Sequence, residues 1–79
     1  MIRILVFTAD HCPHSQALLA DFRRRGVRFE EVNLSSDPDG LARLSELSWE
    51  HRVPVVVDHE RVSIGFRGHS STFAEVGLE

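Results

Sequence analysis

The sequence contains a single cysteine, Cys12, so it lacks the second thiol that an internal disulfide would need. This excludes the class of small proteins that compensate for a thin core with several disulfide bridges. The 79-residue chain must be stabilised by apolar packing, and its length predicts a single domain over residues 1–79. Because disulfides are rare in reducing compartments, the composition also predicts a cytoplasmic protein.

Long apolar segments and an excess of positive charge are missing as well. The apolar opening MIRILVF is too short for a membrane span and is not followed by the small-residue cleavage site of a signal peptide. The formal net charge is -3, whereas nucleic-acid-binding domains are usually basic. We therefore expect neither a membrane nor a nucleic acid as a partner.

Lysine is absent, so all nine basic residues are arginines. Three of them form the run Arg23-Arg24-Arg25, which stands directly before Gly26. Positive side chains interact favourably with the C-terminal end of a helix, and glycine commonly follows its last turn. The run therefore predicts a helix end, with an anion-binding patch as the alternative interpretation.

The first half of the chain alternates between strand and helix patterns. Residues 3–8 are typical of a buried strand, and residues 27–34 predict a second one. Between them, Pro13 suits the first turn of a helix, and it is followed by an apolar stripe at helical spacing formed by Ala17, Leu18, Leu19 and Phe22. A second helix is predicted to start at Asp37-Pro38 and to bury Leu41, Leu44 and Leu47.

The second half predicts a hairpin followed by a short helix. The segments VPVVVD and VSIGF flank the turn DHER, as in two antiparallel strands. Phe73 and Val76 lie on one face behind a serine-rich cap, which predicts a final helix over residues 70–76. Trp49 is interpreted as a core residue or as the flank of the second helix. The order βαβαββα predicts an α/β fold in which three helices flank a four-stranded mixed sheet.

Cys12 stands at the predicted N-cap, directly before Pro13. A lone cysteine is often only a small buried apolar residue. At a helix N-terminus, however, unpaired N–H groups and the helix dipole favour the thiolate, which is the nucleophilic form. Since Ser, Thr, Asp or Asn would cap a helix better, the position indicates a reactive thiol.

The stretch HCPH also permits an interpretation as a metal site, because His11, Cys12 and His14 are ligand types that zinc accepts. Only three such ligands are local, and Pro13 stiffens the turn, so no metal site is predicted. Protonated histidines would instead support the thiolate, whereas Asp10 would oppose it.

Three segments resemble the glutaredoxin family, whose members have the thioredoxin fold. They are CPHS at residues 12–15, RVPVVV at 52–57 and SIGFRG at 63–68, and the resemblance runs from Ile2 to about Val76. It implies that Val53-Pro54 is a cis-proline pair facing the cysteine and that Gly65-Phe66 belongs to a glycine-containing turn. The third segment is most similar to the redoxins that serve ribonucleotide reductase.

The resemblance implies a glutaredoxin-like thiol–disulfide oxidoreductase with a single active cysteine. Cys12 would attack a protein–glutathione mixed disulfide and keep the glutathione, and a second thiol would then release it. Ser15 replaces the resolving cysteine, so the second thiol must come from outside. The Ser15 hydroxyl either donates a hydrogen bond to the Cys12 sulfur or is simply a residue of the first helical turn.

The same resemblance implies the co-substrate, the substrate and the groove that receives them. We expect no tightly bound cofactor, glutathione or an equivalent small thiol as co-substrate, and a disulfide-bearing protein as substrate. Val53 would offer its backbone N–H and C=O to a thiol-bearing peptide as to an added strand. The residues predicted to shape the groove are Pro13, His14, Val53, Pro54, Gly65 and Phe66.

Two departures from the family pattern concern the groups that hold glutathione. The lysine that usually precedes the cysteine is replaced by Ala9-Asp10, and the acidic pair after the glycine turn is replaced by Gly68-His69-Ser70. Arg52 and Arg67 are candidate replacements, and the alternative is that they are solvated surface residues. Backbone amides at Ser70 and Ser71 would also suit a carboxylate if a helix starts there.

A rival interpretation keeps the fold and removes the catalysis. In this interpretation the protein is a non-catalytic binding module or an iron–sulfur cluster carrier. Serine-bearing monothiol members of the family form such a cluster between two subunits, together with glutathione. Those relatives carry Gly-Phe between the cysteine and the serine, whereas this chain carries Pro13-His14, which disfavours a cluster. Brown protein would indicate the carrier, and colourless protein with thiol-dependent turnover would indicate the enzyme.

Overall fold

A computed structural model describes residues 4–47 and 49–78. Its elements follow the chain as β1 (Leu5–Thr8), α1 (Pro13–Arg24), β2 (Glu30–Asn33), α2 (Pro38–Leu47), β3 (Arg52–Val53), β4 (Val55–Val57), β5 (Val62–Ile64) and β6 (Ser71–Thr72). Part of the predicted first strand, Arg3, lies outside the described residues. No helix in these ranges is long and apolar enough to cross a bilayer.

The main sheet has four strands in the order β2-β1-β4-β5. β1 pairs in parallel with β2, and the β1–β4 and β4–β5 pairs are antiparallel. β3 and β6 form a separate two-stranded antiparallel sheet. The predicted α/β fold with a four-stranded mixed sheet is therefore confirmed.

Two apolar clusters form the core, and β1 contributes to both. Phe7 belongs to the larger cluster, which also contains Cys12, Val53 and Leu44. Val6 belongs to the smaller cluster, which α1 completes with Leu18 and Leu19. Successive strand residues point to opposite faces, so adjacent residues of β1 serve different clusters. Both Val6 and Phe7 are fully buried.

Local sequence sets both ends of α1. Cys12 has extended backbone angles at the N-cap, and Pro13 is the first helical residue, as predicted. The helix ends within the arginine run, with Arg25 as C-cap and Gly26 at a φ of 71°. A positive φ is costly for most residues, and glycine adopts it freely. The helix-end interpretation of the run is confirmed.

The buried face of α1 differs from the predicted stripe, and one difference is that Ser15 is also buried. Ala17 is exposed, whereas Asp21 is buried. Ion pairs compensate for the buried carboxylate, because Asp21 contacts the guanidinium groups of Arg24, Arg25 and Arg67. Part of the arginine run therefore neutralises Asp21 as well as interacting with the helix end.

The predicted final helix over residues 70–76 is wrong. Ser71 and Thr72 form β6, and residues 73–77 form a single turn. The turn closes where the Leu78 N–H donates to the Phe73 carbonyl at 2.8 Å, next to Gly77 at a φ of 81°. Phe73 and Val76 are nevertheless buried together, so the spacing identified the correct face.

The apolar stripe of α2 is buried only in part. Leu44 is 2% exposed, whereas Leu47 is 48% exposed and Trp49 is 89% exposed. Placing Trp49 in the core is therefore wrong. The helix ends at Leu47, so helical spacing no longer determines the direction of the tryptophan two residues later.

Candidate functional site

The Cys12 sulfur lies where the end of β1, the start of α1 and β3 meet. The backbone N–H of Ser15 donates to the sulfur at 3.3 Å, and the thiol itself donates to the Val53 carbonyl at 3.8 Å. Only 1% of the Cys12 surface is exposed. The site therefore already holds an amide donor that can stabilise negative charge on sulfur, in a position shielded from water.

The Ser15 side chain does not make the hydrogen bond that its backbone makes. Its residue surface is fully buried, and Ser15 Oγ has no hydrogen-bond partner. The hydroxyl therefore does not donate a hydrogen bond to the Cys12 sulfur, which was one of the two interpretations of Ser15. In this state the residue supports sulfur through its amide, and its hydroxyl is a buried polar group without a partner.

The Val53-Pro54 peptide bond is cis, as the resemblance implied, and both residues are buried. The Val53 carbonyl faces the cysteine, and the Pro54 carbonyl accepts a hydrogen bond from the Gly65 N–H at 2.7 Å. Gly65 has a φ of 92°, and a Cβ there would stand 2.9 Å from the His69 carbonyl oxygen. Only glycine suits this close approach.

His14 is connected to the glycine turn through a second histidine. The rings of His14 and His69 are stacked with their centroids 5.6 Å apart and their planes at 15°. His11, in contrast, is exposed at a φ of 64°. Among the described residues, no group of three or more potential metal-ligating side chains comes together.

Phe66 lies on the other side of the sheet from the cysteine. It packs against the cluster of Val6, Leu18 and Leu19, whereas Cys12 belongs to the cluster that contains Val53. The structure thus brings Cys12, Ser15 and the Val53-Pro54 pair together. Gly65 is connected to this group by its hydrogen bond to the Pro54 carbonyl. Phe66 closes the glycine turn through backbone hydrogen bonds with His69.

The two candidate cations have different surroundings. Arg52 precedes Val53 in β3, and its guanidinium donates to the Ser70 hydroxyl at 3.2 Å. Arg67 covers the Phe66 ring at 5.1 Å and lies 3.9 Å from the carboxylate of Asp21. Arg52 therefore connects β3 to the residue before β6, whereas Arg67 connects the glycine turn to α1.

Sequence reasoning missed a hydrogen-bonded pair, Thr72 and Glu75, at the end of β6. The N–H and the hydroxyl of Thr72 both donate to the Glu75 carboxylate, at 2.9 and 3.0 Å, and the Glu75 N–H donates back to the hydroxyl at 3.2 Å. The hydrogen bonds from Thr72 lower the pKa of Glu75 from its ordinary value of 4.5, and the bond from the backbone N–H has the largest effect. The Thr-x-x-Glu spacing is a capping-box pattern that was readable in the sequence.

Comparisons with known proteins agree with this geometry. The glutaredoxin family model matches residues 4–62. The NrdH-redoxin of Escherichia coli has a similar structure, with a TM-score of 0.73 and 28% identity over 82% of this chain and 84% of that one. A glutaredoxin from Archaeoglobus fulgidus has a TM-score of 0.74 and 25% identity over 85% and 78% of the two chains. A search among curated proteins gives no significant match.

Proposed function

Because the chain belongs to the glutaredoxin family, whose general chemistry is thiol–disulfide exchange, we propose that it is a monothiol oxidoreductase with Cys12 as its nucleophile. The sequence has no other cysteine, so no second thiol of this chain can resolve a mixed disulfide. The resolving thiol therefore comes from another molecule. Such a protein exchanges one thiol partner for another without forming an internal disulfide.

The observation that carries the proposal is the environment of the Cys12 sulfur. It caps α1, accepts the Ser15 amide at 3.3 Å and lies 3.8 Å from the carbonyl of a residue in a cis-proline pair. The amide and the helix dipole stabilise a thiolate. The carbonyl of Val53 holds the neutral thiol and would release it when the proton leaves.

The exchange proceeds in two displacement steps. The Cys12 thiolate attacks the glutathione sulfur of a protein–glutathione disulfide, the old S–S bond breaks, and the target protein leaves as a thiolate that takes up a proton. A second glutathione thiolate then attacks the glutathione sulfur bound to Cys12. That step releases oxidised glutathione and restores the Cys12 thiolate, so atoms and electrons balance over the cycle.

Arg52 supports the choice of a small anionic thiol as the resolving partner. Its guanidinium lies beside Ser70, and it can meet a carboxylate of glutathione or of an equivalent thiol. The NrdH-redoxin is described as a glutaredoxin-like protein with a thioredoxin-like activity profile, so a protein thiol is the second candidate for this role. We place the reaction in the cytoplasm, where thiols are kept reduced.

The decisive experiment is reduction of a glutathionylated peptide by glutathione in the presence of the purified protein. We expect turnover that disappears completely in Cys12→Ser. Arg52→Gln should raise the KM for glutathione and leave kcat nearly unchanged, whereas Arg43→Gln, an exposed arginine of α2, should change neither. Equal turnover by wild type and Cys12→Ser would refute the proposal. Turnover with a reduced dithiol protein and not with glutathione would assign the resolving role to a protein.

A further inference from the structure

Residues 69–78, here called the C-terminal segment, lie on the part of the molecule where a substrate would be expected. β6 pairs antiparallel with β3, placing Thr72 opposite Arg52 and Ser71 opposite Val53. Just beyond these pairs, the Phe73 N–H donates to the His51 carbonyl at 2.9 Å. The segment is thus a strand added to the edge that carries the cis-proline pair.

The register shows which backbone groups this strand uses. In an antiparallel pair, the N–H and C=O groups of alternate residues point to the same side of a strand. The His51 carbonyl points to the C-terminal segment, so the backbone groups of Val53, two residues later, point there as well. These are the groups that a thiol-bearing peptide needs for strand addition. The chain's own strand therefore occupies them.

Side chains hold the C-terminal segment in this place at several points. His69 stacks on His14, and Ser70 accepts a hydrogen bond from Arg52. Phe73 and Val76 are 4% and 6% exposed and belong to the same core cluster as Cys12. Since Cys12 is only 1% exposed, an incoming disulfide has no path to its sulfur in this arrangement.

We infer that the C-terminal segment is an internal occupant of the substrate groove, and that an extended disulfide-bearing polypeptide reacts with Cys12 by displacing β6 from Val53. This inference rests on the proposed function for the identity of the substrate. Displacement exchanges one set of strand hydrogen bonds for another, and its cost is the loss of the contacts made by Phe73 and Val76. A small thiol, which replaces none of these contacts, gains less from opening the groove than a polypeptide does.

The register also defines the substrate sequence that fits best. Ser71 stands opposite Val53, whose carbonyl lies 3.8 Å from the Cys12 sulfur, so the half-cystine of the substrate takes the place of Ser71. Two residues later, a large apolar side chain takes the place of Phe73. In the reaction of a protein–glutathione disulfide the Cys12 thiolate bonds to the glutathione sulfur, as in the cycle above, and the half-cystine at the place of Ser71 leaves as a thiolate and is protonated.

Alkylation of Cys12 by iodoacetamide tests the displacement, because it measures access to the thiol and needs no disulfide exchange. Phe73→Ala should accelerate alkylation at least about tenfold by releasing the segment. Leu44→Ala, which removes a buried side chain of the same cluster outside the segment, should accelerate it much less when both are compared at equal global stability. Equal acceleration would mean that only global unfolding exposes the thiol, and no acceleration would mean that the thiol is open already. Either result overturns the inference.

The wild-type protein gives a second reading if Phe73→Ala does not fold. Opening of a short segment exposes little surface, so the alkylation rate should barely change with urea below the unfolding transition. A rate that rises as steeply with urea as global unfolding does would overturn the inference. Disulfide-exchange activity is measured separately, so an inactive protein with a gated thiol would refute the proposed function alone.

Synthetic peptides test the register. A peptide of residues 67–76 carrying Ser71→Cys as a glutathione mixed disulfide should react with Cys12 several times faster than the same peptide carrying Thr72→Cys instead, because a shift of one residue turns the side chain to the other face. Equal rates, or a faster reaction at the position of Thr72, would refute the register. Replacing Phe73 by serine in the first peptide should slow its reaction if the apolar position is recognised.

Discussion

Cys12 caps a helix, packs in the core and carries the sulfur on which the proposed chemistry depends. The capping role was predictable, because Pro13 marks the first turn and the next apolar residues fall at helical spacing. Its burial was not predictable, because Val53 and Phe73, which belong to the same cluster, lie far along the chain. Local pattern thus located the proposed nucleophile, and long-range packing decided its accessibility.

Replacing Ser15 by cysteine tests the geometry of the helix start. Residues three apart in a helix have Cβ atoms about 5–6 Å apart, which is compatible with a disulfide after small adjustments. Under mild oxidation, Ser15→Cys should lose both free thiols within one monomer, as thiol counting and non-reducing intact mass would show. Gln16→Cys, which places a thiol on an exposed position of the same turn, should keep both thiols or form intermolecular dimers.

If Ser15→Cys kept both free thiols under mild oxidation, that result would contradict the placement of Cys12 at the helix N-terminus. After reduction, the variant is expected to reduce insulin disulfides without an added small thiol, because it now carries its own resolving cysteine. The wild-type protein should need an added thiol for the same reaction.

The unpartnered hydroxyl of Ser15 makes a separate prediction about stability. Burying a polar group without a hydrogen bond costs about 1–3 kcal/mol, and removing the group relieves that cost. We expect Ser15→Ala to raise the free energy of unfolding by about 1 kcal/mol, as measured by urea denaturation followed by far-UV circular dichroism. A loss of stability would show that the hydroxyl has a partner in solution. Exposed Ser45→Ala in α2 serves as the control.

At the scale of elements, the contact between α2 and β2 depends on a glycine that the sequence pattern does not single out. Gly40 is buried in the first turn of α2, where its N–H donates to the Asp37 carboxylate at 3.0 Å. A Cβ at this position would clash with the Val32 side chain of β2. The predicted helix start at Asp37-Pro38 is correct, and the reason for the glycine lies in a strand that only the fold brings close.

Gly40→Ala should therefore destabilise the protein even though alanine favours helices. Overpacking typically costs about 1–3 kcal/mol, which exceeds the gain in helix propensity of about 1 kcal/mol. Urea unfolding followed by far-UV circular dichroism measures the difference. If the contact is the cause, the loss of stability in the double variant Gly40→Ala/Val32→Ala should be smaller than the sum of the losses in the two single variants. Additive losses would show that the contact is not the cause.

The capping box in the C-terminal segment is expected to weaken in acid. Hydrogen bonds from Thr72 lower the pKa of Glu75 below its ordinary value of 4.5, so the folded state favours the ionised form. The stabilisation is therefore complete above 4.5 and is lost as the pH falls through the lower folded pKa. Hydrogen exchange at the Thr72 amide should accelerate over that range, after correction for the intrinsic rate, relative to the amides of β1.

Glu75→Gln is the matched control, because glutamine keeps an acceptor for Thr72 and does not titrate. Its Thr72 amide should show no such acceleration. Asp58 titrates in the same direction, since the N–H groups of Glu60 and Arg61 lower its pKa, but it acts on the turn between β4 and β5. An acceleration that persists in Glu75→Gln would assign the effect to another group.

The final element shows where local pattern ceases to decide structure. Spacing of Phe73 and Val76 fits a helix, and both are buried as a helix would bury them. Pairing of Ser71 with Val53 takes up the preceding residues, and Gly77 closes the turn, so only one turn remains. Strand pairing to a distant partner is invisible in a sequence window, which is why this prediction failed while those for α1 and α2 succeeded.

At the scale of the whole molecule, stability is distributed unevenly over the sheet. β1 has a paired strand on each side, and Val6 and Phe7 are fully buried, whereas β5 is an edge strand with Val62 40% exposed. We expect the amides of Val6 and Phe7 to exchange slowest, with those of β5 and of residues 69–78 exchanging faster. Equal protection at all these sites would mean that only global unfolding exposes them, and the C-terminal segment would then not open on its own.

The position of Trp49 determines how this molecule can be observed by light. The sequence contains no tyrosine, and its only tryptophan is 89% exposed, so the core has phenylalanine as its sole aromatic chromophore. Intrinsic fluorescence will therefore change little on unfolding and will report instead on the surface just after α2. Trp49 lies four residues before Val53 in the chain, so quenching or enhancement of its emission is a natural optical signal for a polypeptide arriving at the groove.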